Sequence, residues 1–515
     1  MKLKRYFMDG WEKYGKKSSL FLAFFMMPLI CCVFMCWTRG VSIAKLTPFG
    51  LAGNDEVIYQ KMMEGIVRNG MPSGYFGYNE SHAAVGTFST WSPVLLLPWS
   101  ILGSLFGWGE GSAIVYNIVL LMLAMGGFCL LAKPNTRQAF CILSLYAVSA
   151  YISWYALLTL PEIACYALII LFCGLTINLC RTQKLWKLKT GILFGIAALL
   201  TWMRPYYIIF LLLPGLELIK RSKKKGLGIA VLFLIFLCTG GGYIWINKNM
   251  CAAYFEDLLD FSWMSMLFSN PLVAVKVLVF TFMSAFGEYL TYVRGGVQGA
   301  MLASAQCAGL LLVTGCLLFS LKQDIKEKKR DMAMITGVAV CFIFLTYCAA
   351  AVVFEISASG KHFGELIVLG ILIAGWKAER KTMSVMLAAL SWIFFIQVQY
   401  YPCIEKNEGL ETQIAAGKVQ LEDSLIIAEE GDCWDNTVIW VFSDDSGYIW
   451  WQGLYALPSG IGINLCTREY VLEHWEELQA KYLYTSGGDT IDLLCENRGI
   501  LIADYGGVHV WELRK

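Results

Sequence analysis

Residues 91–112 read WSPVLLLPWSILGSLFGWGEGS, and the placement of this one run decides the arrangement of all the others. Its apolar core, 92–107, falls just short of the roughly 20 residues that cross about 30 Å of hydrocarbon. If it crosses, the loops carrying Lys133, Arg137, Arg181, Lys184, Lys187, Lys189, Lys220, Arg221, Lys223, Lys224 and Lys225 all face outward. If it lies in the interface, all eleven face the cytoplasm. Basic residues are retained on the cytoplasmic side, so the second arrangement is selected. Pro93, Pro98, Trp91, Trp99 and Trp108 suit an interfacial helix, with the indoles expected at headgroup depth. The run 272–290 is held outside by the same argument, because crossing there would turn the basic loop 322–330 outward.

Working outward, long uncharged runs recur at 19–38, 112–132, 139–157, 163–180, 227–246, 299–320, 332–354 and 382–399, with shorter ones near 190–203, 205–219 and 363–376. Backbone polar groups in lipid must bond within their own segment, so these runs are expected to be helices. The expectation is a polytopic α-helical membrane protein of eleven spans, multi-pass in the cell membrane. The first run follows Lys2, Lys4, Arg5, Lys13, Lys16 and Lys17, which puts the N-terminus in the cytoplasm. It is long and shows no small-residue cleavage site, so it reads as an uncleaved helix.

Composition agrees. Of 515 residues, 57% are hydrophobic and 16% charged, and the mean hydropathy is +0.57. Soluble domains run nearer 45–50% apolar and about 25% charged. An ordinary soluble enzyme, a disordered chain and a nucleic-acid-binding protein are excluded. The net charge of +2 conceals two objects: residues 1–399 hold 34 basic against 19 acidic side chains, and the remainder holds 7 against 20. A basic apolar body, 1–399, is joined to an acidic tail domain, 400–515, expected outside the membrane.

This topology sorts the polar residues. The cytoplasmic loops are short and basic, so a reaction centre should face outward, where two large segments lie at 39–111 and 247–298. The richest stretch, 46–91, reads LTPFGLAGNDEVIYQKMMEGIVRNGMPSGYFGYNESHAAVGTFSTW. Asp55 and Glu56 are adjacent, Tyr59 is one turn on, and Ile58, Met62 and Ile66 share a helical face. Acids at a helix start are favoured by its dipole, so the pair alone has an ordinary explanation. Two carboxylates at a lipid boundary also need pairing, hydration or a use.

In this order of elements the chain resembles a GT-C superfamily glycosyltransferase, of the branch containing protein O-mannosyltransferases and lipid A aminoarabinose transferases. The matching features are Asp55-Glu56-x-x-Tyr59 in a long loop after the first span, the Pro-containing juxtamembrane segment quoted above, Glu162 after Pro161 at a later outer turn, the basic element Ser357–Phe363 before a late span, and an α/β tail domain. The sequence departs from the pattern in having Ser92-Pro93 for Pro-Pro and Glu162 where the family more often has Asp. The resemblance implies transfer of a sugar from a polyprenyl-phosphate donor to a lipid, protein or glycan acceptor at the outer face. It implies Asp55 as general base, with Glu56 and Glu162 as further catalytic carboxylates. Arg204, Lys361, His362 and Arg294 are the implied grips on the donor phosphate, and Tyr59, His82, Glu288 and Tyr292 candidates for substrate contact. No cofactor is certain; a divalent metal held by Asp55 and Glu162 remains an option, since hard cations take carboxylate oxygens. Three rivals stand beside this: an enzyme acting on a growing surface polymer, a membrane transporter, and a catalytically inactive scaffold whose tail domain binds a partner.

After Pro402 the reading changes to a small α/β domain. SLIIAEE and TVIWVFSDD read as strands, REYVLEHWEELQAKY as an amphipathic helix, and KYLYTSG, DTIDLLCEN, GILIADYGG and VHVWELRK as the rest of an αβαββ pattern. Asp444-Asp445 reads as a strand-end turn. Of 18 cysteines, four lie in this domain, Cys403, Cys433, Cys466 and Cys495; they allow three pairings, and no disulfide is assigned.

Overall fold

The apolar runs form helices. The computed structural model describes residues 2–47, 54–70, 76–81, 84–85, 92–182, 184–251, 262–292, 297–352, 364–401, 405, 408–422, 431–432, 434–442, 453–458, 461–505 and 507–514. In chain order the helices are α1 (Lys2–Thr38), α2 (Asn54–Asn69), α3 (Leu97–Phe106), α4 (Ser112–Ala132), α5 (Thr136–Ala147), α6 (Ala150–Ala156), α7 (Ile163–Arg181) and α8 (Trp186–Met203). They continue as α9 (Leu212–Arg221), α10 (Lys225–Met250), α11 (Ser262–Ser269), α12 (Pro271–Tyr292), α13 (Val297–Lys326), α14 (Arg330–Val352), α15 (Gly364–Lys377), α16 (Arg380–Tyr400) and α17 (Glu408–Glu422).

Among the described residues six stretches are long and apolar enough to cross a membrane: Lys17–Thr38, Ser112–Ala132, Ile163–Arg181, Lys225–Met250, Ala308–Lys326 and Arg380–Gln399. The run expected at 139–157 is a broken pair, α5 and α6, bent by 63°. The run expected near 205–219 is a 3-10 turn, Pro205–Leu211, followed by α9. The segment 92–107 is a 3-10 turn, Pro93–Leu96, leading into α3, where Ser92 caps by accepting from the Val94 amide. Pro93 and Pro98 both sit in first turns, where a missing N–H costs nothing.

The basic loops gather at one end of this bundle. Arg181 donates to the carbonyls of Ala132 (2.6 Å) and Lys133 (3.1 Å), and Arg137 to that of Ala378 (2.8 Å). Lys220 pairs with Asp331 at 2.7 Å, and Lys377 with Asp324. At the opposite end the turn between α6 and α7 is pinned by Asn117, whose amide donates to the carbonyls of Leu158 (3.0 Å) and Leu160 (3.2 Å). Asn117 in turn accepts from the Trp99 indole at 2.9 Å. Trp99, expected as a headgroup anchor, is instead 1% exposed. The hydrogen bond explains this: an indole N–H in the interior needs an acceptor, and Asn117 supplies one.

The tail domain is a six-stranded sheet in the order β1-β5-β4-β6-β8-β7. Its strands are β1 (Phe76–Tyr78), β4 (Thr437–Phe442), β5 (Gly462–Thr467), β6 (Tyr482–Ser486), β7 (Gly499–Tyr505) and β8 (Val508–Leu513); a separate pair joins β2 (Ala84–Val85) to β3 (Gly431–Asp432). β1, β5, β4 and β6 run parallel, and β8 and β7 close the sheet antiparallel. The 505–508 step is the expected hairpin, with Gly507 at φ +79°. The segment read as one helix, REYVLEHWEELQAKY, is a short helix Arg468–Glu473 and a 3-10 turn Trp475–Glu477. SLIIAEE, Asp444, Asp445, Cys403 and Cys433 lie outside the described residues; Cys466 and Cys495 are buried free thiols. One strand was not anticipated: β1 belongs to the loop that follows α2, far from the tail in sequence.

A buried carboxylate–guanidinium site at the end of the bundle

Two X-Pro and Pro-X steps build this site. Pro205 cannot continue α8, and the residue before a proline is driven to extended backbone. Arg204 accordingly stands at φ −148°, ψ 125°. Its side chain turns into the protein and forms an ion pair with Oε1 of Glu162. Glu162 begins α7 just after Pro161, but makes no capping bond to its own helix. Both side chains are nearly inaccessible, at 2% and 4%. Two ordinary explanations are thereby removed: Glu162 is not a hydrated cap, and Arg204 does not snorkel to headgroups. The second oxygen of Glu162, Oε2, has no hydrogen-bond partner among the described residues. A buried carboxylate oxygen without a partner is costly, and such costs concentrate at functional sites.

Two more buried carboxyls converge here. Glu56, on the first turn of α2, is 1% exposed and accepts from the Thr159 amide at 3.3 Å. Asp55 is the residue before it on the same helix. Glu365, on the first turn of α15, is 1% exposed and accepts from the Tyr206 hydroxyl at 3.2 Å. Gly364 makes that placement possible, since a Cβ there would meet the Tyr166 hydroxyl at 1.9 Å and the Tyr151 ring at 2.4 Å. Tyr155 lies within electrostatic reach of Glu162, Glu365 and Glu56 together, and Arg204 within reach of Glu162, Tyr59 and Tyr206. Rings pack closely around them: Tyr151–Tyr155 at 4.6 Å, Tyr206–Tyr207 at 4.7 Å and Trp154–Tyr401 stacked at 4.3 Å.

Of the residues expected from sequence, Glu56, Tyr59, Glu162 and Arg204 are thus brought together, with Asp55 one position away on α2. Glu288 and Tyr292 fall on the last turns of α12. His82, Arg294, Lys361 and His362 lie outside the described residues. Glu365 was missed. Its signal was present: a lone carboxylate inside an apolar run is expensive and marks a site by default.

The metal option draws no support from the described residues. Glu162 is already bonded to a guanidinium, and among the described residues no group of three or more His, Cys, Asp or Glu could hold an ion.

No protein-family model matches the sequence, and no curated protein matches it. Solved structures do. The apo oligosaccharyltransferase of Archaeoglobus fulgidus superposes with a TM-score of 0.53 at 12% identity, over 92% of this chain and 70% of that one. The same enzyme in complex with Zn and sulfate gives 0.51 at 14% identity, over 89% and 68%. ArnT from Cupriavidus metallidurans, bound to undecaprenyl phosphate, covers 96% of this chain and 97% of its own at a TM-score of 0.43 and 11% identity. The fold of this chain is that of the GT-C membrane glycosyltransferases.

Proposed function

We propose that this protein transfers a sugar from a polyprenyl-phosphate donor to an acceptor hydroxyl at the outer face of the cell membrane, with the N-terminus cytoplasmic and the tail domain outside. The observation that carries this is the buried Glu162–Arg204 pair with Glu56 and Glu365 beside it and Asp55 on the adjoining helix. The GT-C fold and the segregation of basic loops at the opposite end support it.

In this reading the acceptor oxygen attacks the anomeric carbon, and its proton passes to the Asp55 carboxylate. The bond from that carbon to the phosphate oxygen breaks, and the lipid phosphate leaves with the electron pair. Developing charge on the phosphate calls for fixed cations in a dry site. Arg204 is the described candidate, and Lys361, His362 and Arg294 join it by resemblance. Glu162 holds Arg204 in place and offers its second oxygen to a substrate hydroxyl. Tyr59 and the tyrosines around Glu365 exclude water, which would otherwise compete as acceptor; His82, Glu288 and Tyr292 are further substrate contacts. A narrow apolar crevice between α7, the Pro205–Leu211 turn, α9, α14 and α15 is lined by Phe172, Thr176, Phe210, Leu213, Ile335 and Leu369.

The test is a deletion strain complemented with the wild-type or Asp55→Asn chain, with surface lipids, proteins and glycans compared by mass spectrometry. One sugar modification should vanish on deletion, return with wild type, and fall on the order of 10²–10⁴-fold in the variant, as for loss of a general base. Full restoration by Asp55→Asn would sink the base assignment. The mass of the lost group names the sugar, and the molecule that loses it names the acceptor.

A further inference from the structure

Helix α2 is held from two sides. On one, Glu56 meets the Thr159 amide of the helical bundle. On the other, Lys61 is 2% exposed and reaches into the tail domain. Its ammonium donates to the Tyr455 carbonyl (3.0 Å), to the Leu457 carbonyl, and to Glu64 Oε2 (3.2 Å), and lies 5.1 Å from the centroid of the Tyr455 ring. A lysine has three N–H donors, and these three acceptors use them all. Two of the three belong to the tail domain.

The chain leaving α2 is then stitched to the same domain. β1 pairs parallel with β5, with Phe76 opposite Ile463 and Tyr78 opposite Leu465. Asn79 and Glu80 follow with positive φ, 43° and 52°, a backbone that persists only where surroundings hold it. The Asn79 carboxamide accepts from the Thr467 amide at 3.0 Å. Glu80 Oε1 accepts from the amides of Gln479 (2.8 Å) and Ala480 (2.7 Å), and the Glu80 amide donates to Asn464 Oδ1 at 2.8 Å. A carboxylate that takes two backbone amides is a strong, oriented anchor.

We infer that Lys61 is a positioning residue for the transfer step: by tying α2 to the tail domain it sets the place of Asp55 and Glu56, so that the tail domain completes the active site. Glu80 is the second anchor of the same clasp. The inference rests on the transferase reading for its catalytic consequence, but the clasp can be measured without it. A displacement of about 1 Å in a catalytic group is enough to cost on the order of 100-fold.

The experiment uses the full-length protein bearing Lys61→Met, Lys61→Arg or Glu80→Gln, with two readouts: product formed in the complemented strain, and amide hydrogen exchange on the purified protein. Lys61→Met should lower product at least tenfold and speed exchange of amides 56–62 at least tenfold, while amides 437–442 and 482–486 keep their wild-type rates. Lys61→Arg, which retains a cation with several donors, should recover most of both. Glu80→Gln should show the same pattern at about a third of the size, and stands in if Lys61→Met does not accumulate. Adding Asp55→Asn to Lys61→Met should cause little further loss, because a displaced base has little left to lose. Unchanged exchange at 56–62 overturns the clasp. Faster exchange with undiminished product overturns the positioning role, and exchange rising equally across the tail sheet shows a folding lesion and overturns it too. Asp55→Asn with full product would sink the base assignment instead, while the exchange result still reads the clasp.

Discussion

Two of the molecule's buried ion pairs stand at opposite ends of its helices, and they are built differently. At the basic end, Lys377 of α15 meets Asp324 of α13, with side chains 5% and 1% exposed. Every strong group there is answered: Lys377 also donates to the Ser320 hydroxyl and to its carbonyl (3.4 Å), and Asp324 also accepts from Thr336 (3.3 Å). At the other end, Glu162 and Arg204 are just as buried, yet Glu162 Oε2 finds no partner among the described residues and two further carboxylates stand close by. A saturated pair is a structural rivet. A pair with spare capacity, with further buried carboxyls beside it, holds interaction energy in reserve for something that arrives.

That contrast can be broken by experiment. Lys377→Met leaves Asp324 buried without its cation and should destabilise the protein by about 3–5 kcal/mol, the usual result of halving a buried pair. Activity per folded molecule should stay at the wild-type level, read from thermal unfolding in detergent alongside product yield. A loss of activity with unchanged unfolding would reverse the two roles. Arg204→Met also halves a buried pair and should destabilise the protein comparably, but here transfer per folded molecule should fall as well, by on the order of 100-fold or more through lost stabilisation of the leaving phosphate. Arg204→Lys should restore only part of it, because an ammonium cannot reproduce the planar fork. If both variants transferred like wild type, the spare capacity at Glu162 would have no catalytic meaning.

A smaller effect is expected at Glu365. Glu365→Gln keeps an acceptor for the Tyr206 hydroxyl and removes the ionisable carboxyl, so transfer should fall about tenfold with little change in unfolding. Glu365→Leu removes the acceptor as well and should cost a further 1–3 kcal/mol of stability for the buried hydroxyl left behind. Equal stability for both variants would mean the Tyr206 bond contributes nothing.

The smallest test lies in the tail. Burial works against the Asp492 carboxylate, but bonds from the Thr485 hydroxyl (2.7 Å), the Gly488 amide (2.7 Å), the Trp511 indole (2.8 Å) and the His509 ring (2.9 Å) outweigh it and hold its pKa below the ordinary value. A depressed carboxylate pKa means the folded state binds the proton less readily than the unfolded chain. The stabilisation is therefore complete above the ordinary carboxylate pKa of about 4 and disappears as pH falls through the lower folded value. Asp492→Asn should cost about 1 kcal/mol at neutral pH and flatten the acid limb of the unfolding profile followed by Trp511 fluorescence. An unaltered acid limb would assign that limb to other carboxylates.

Much of the candidate site was legible in the chain. Asp55-Glu56 announced itself by adjacency after the first apolar run, and Arg204-Pro205 by a cation at a forced helix end. Pro161-Glu162 was a carboxylate at a turn between two apolar runs. Three features were less plain. Glu365 is a single carboxylate inside an otherwise apolar run, three residues past Lys361-His362. Trp99 looked like a headgroup anchor because its burial depends on Asn117, eighteen residues on, arriving at hydrogen-bond distance. β1 is three residues long, too short for any alternation to declare it, and becomes a strand only because β5 offers an unpaired edge.

By itself, then, the sequence determined the class of object, the direction in which its loops point by expectation, and the short list of charged residues with nowhere ordinary to go. It could do so because hydropathy, proline and loop charge act over a few residues at a time. Which of those charges meet was decided only by the tertiary structure, as was the clasp that binds the α2 helix to a domain nearly 400 residues away. Ion pairing and strand pairing act through space, and their partners are chosen by packing rather than by spacing along the chain.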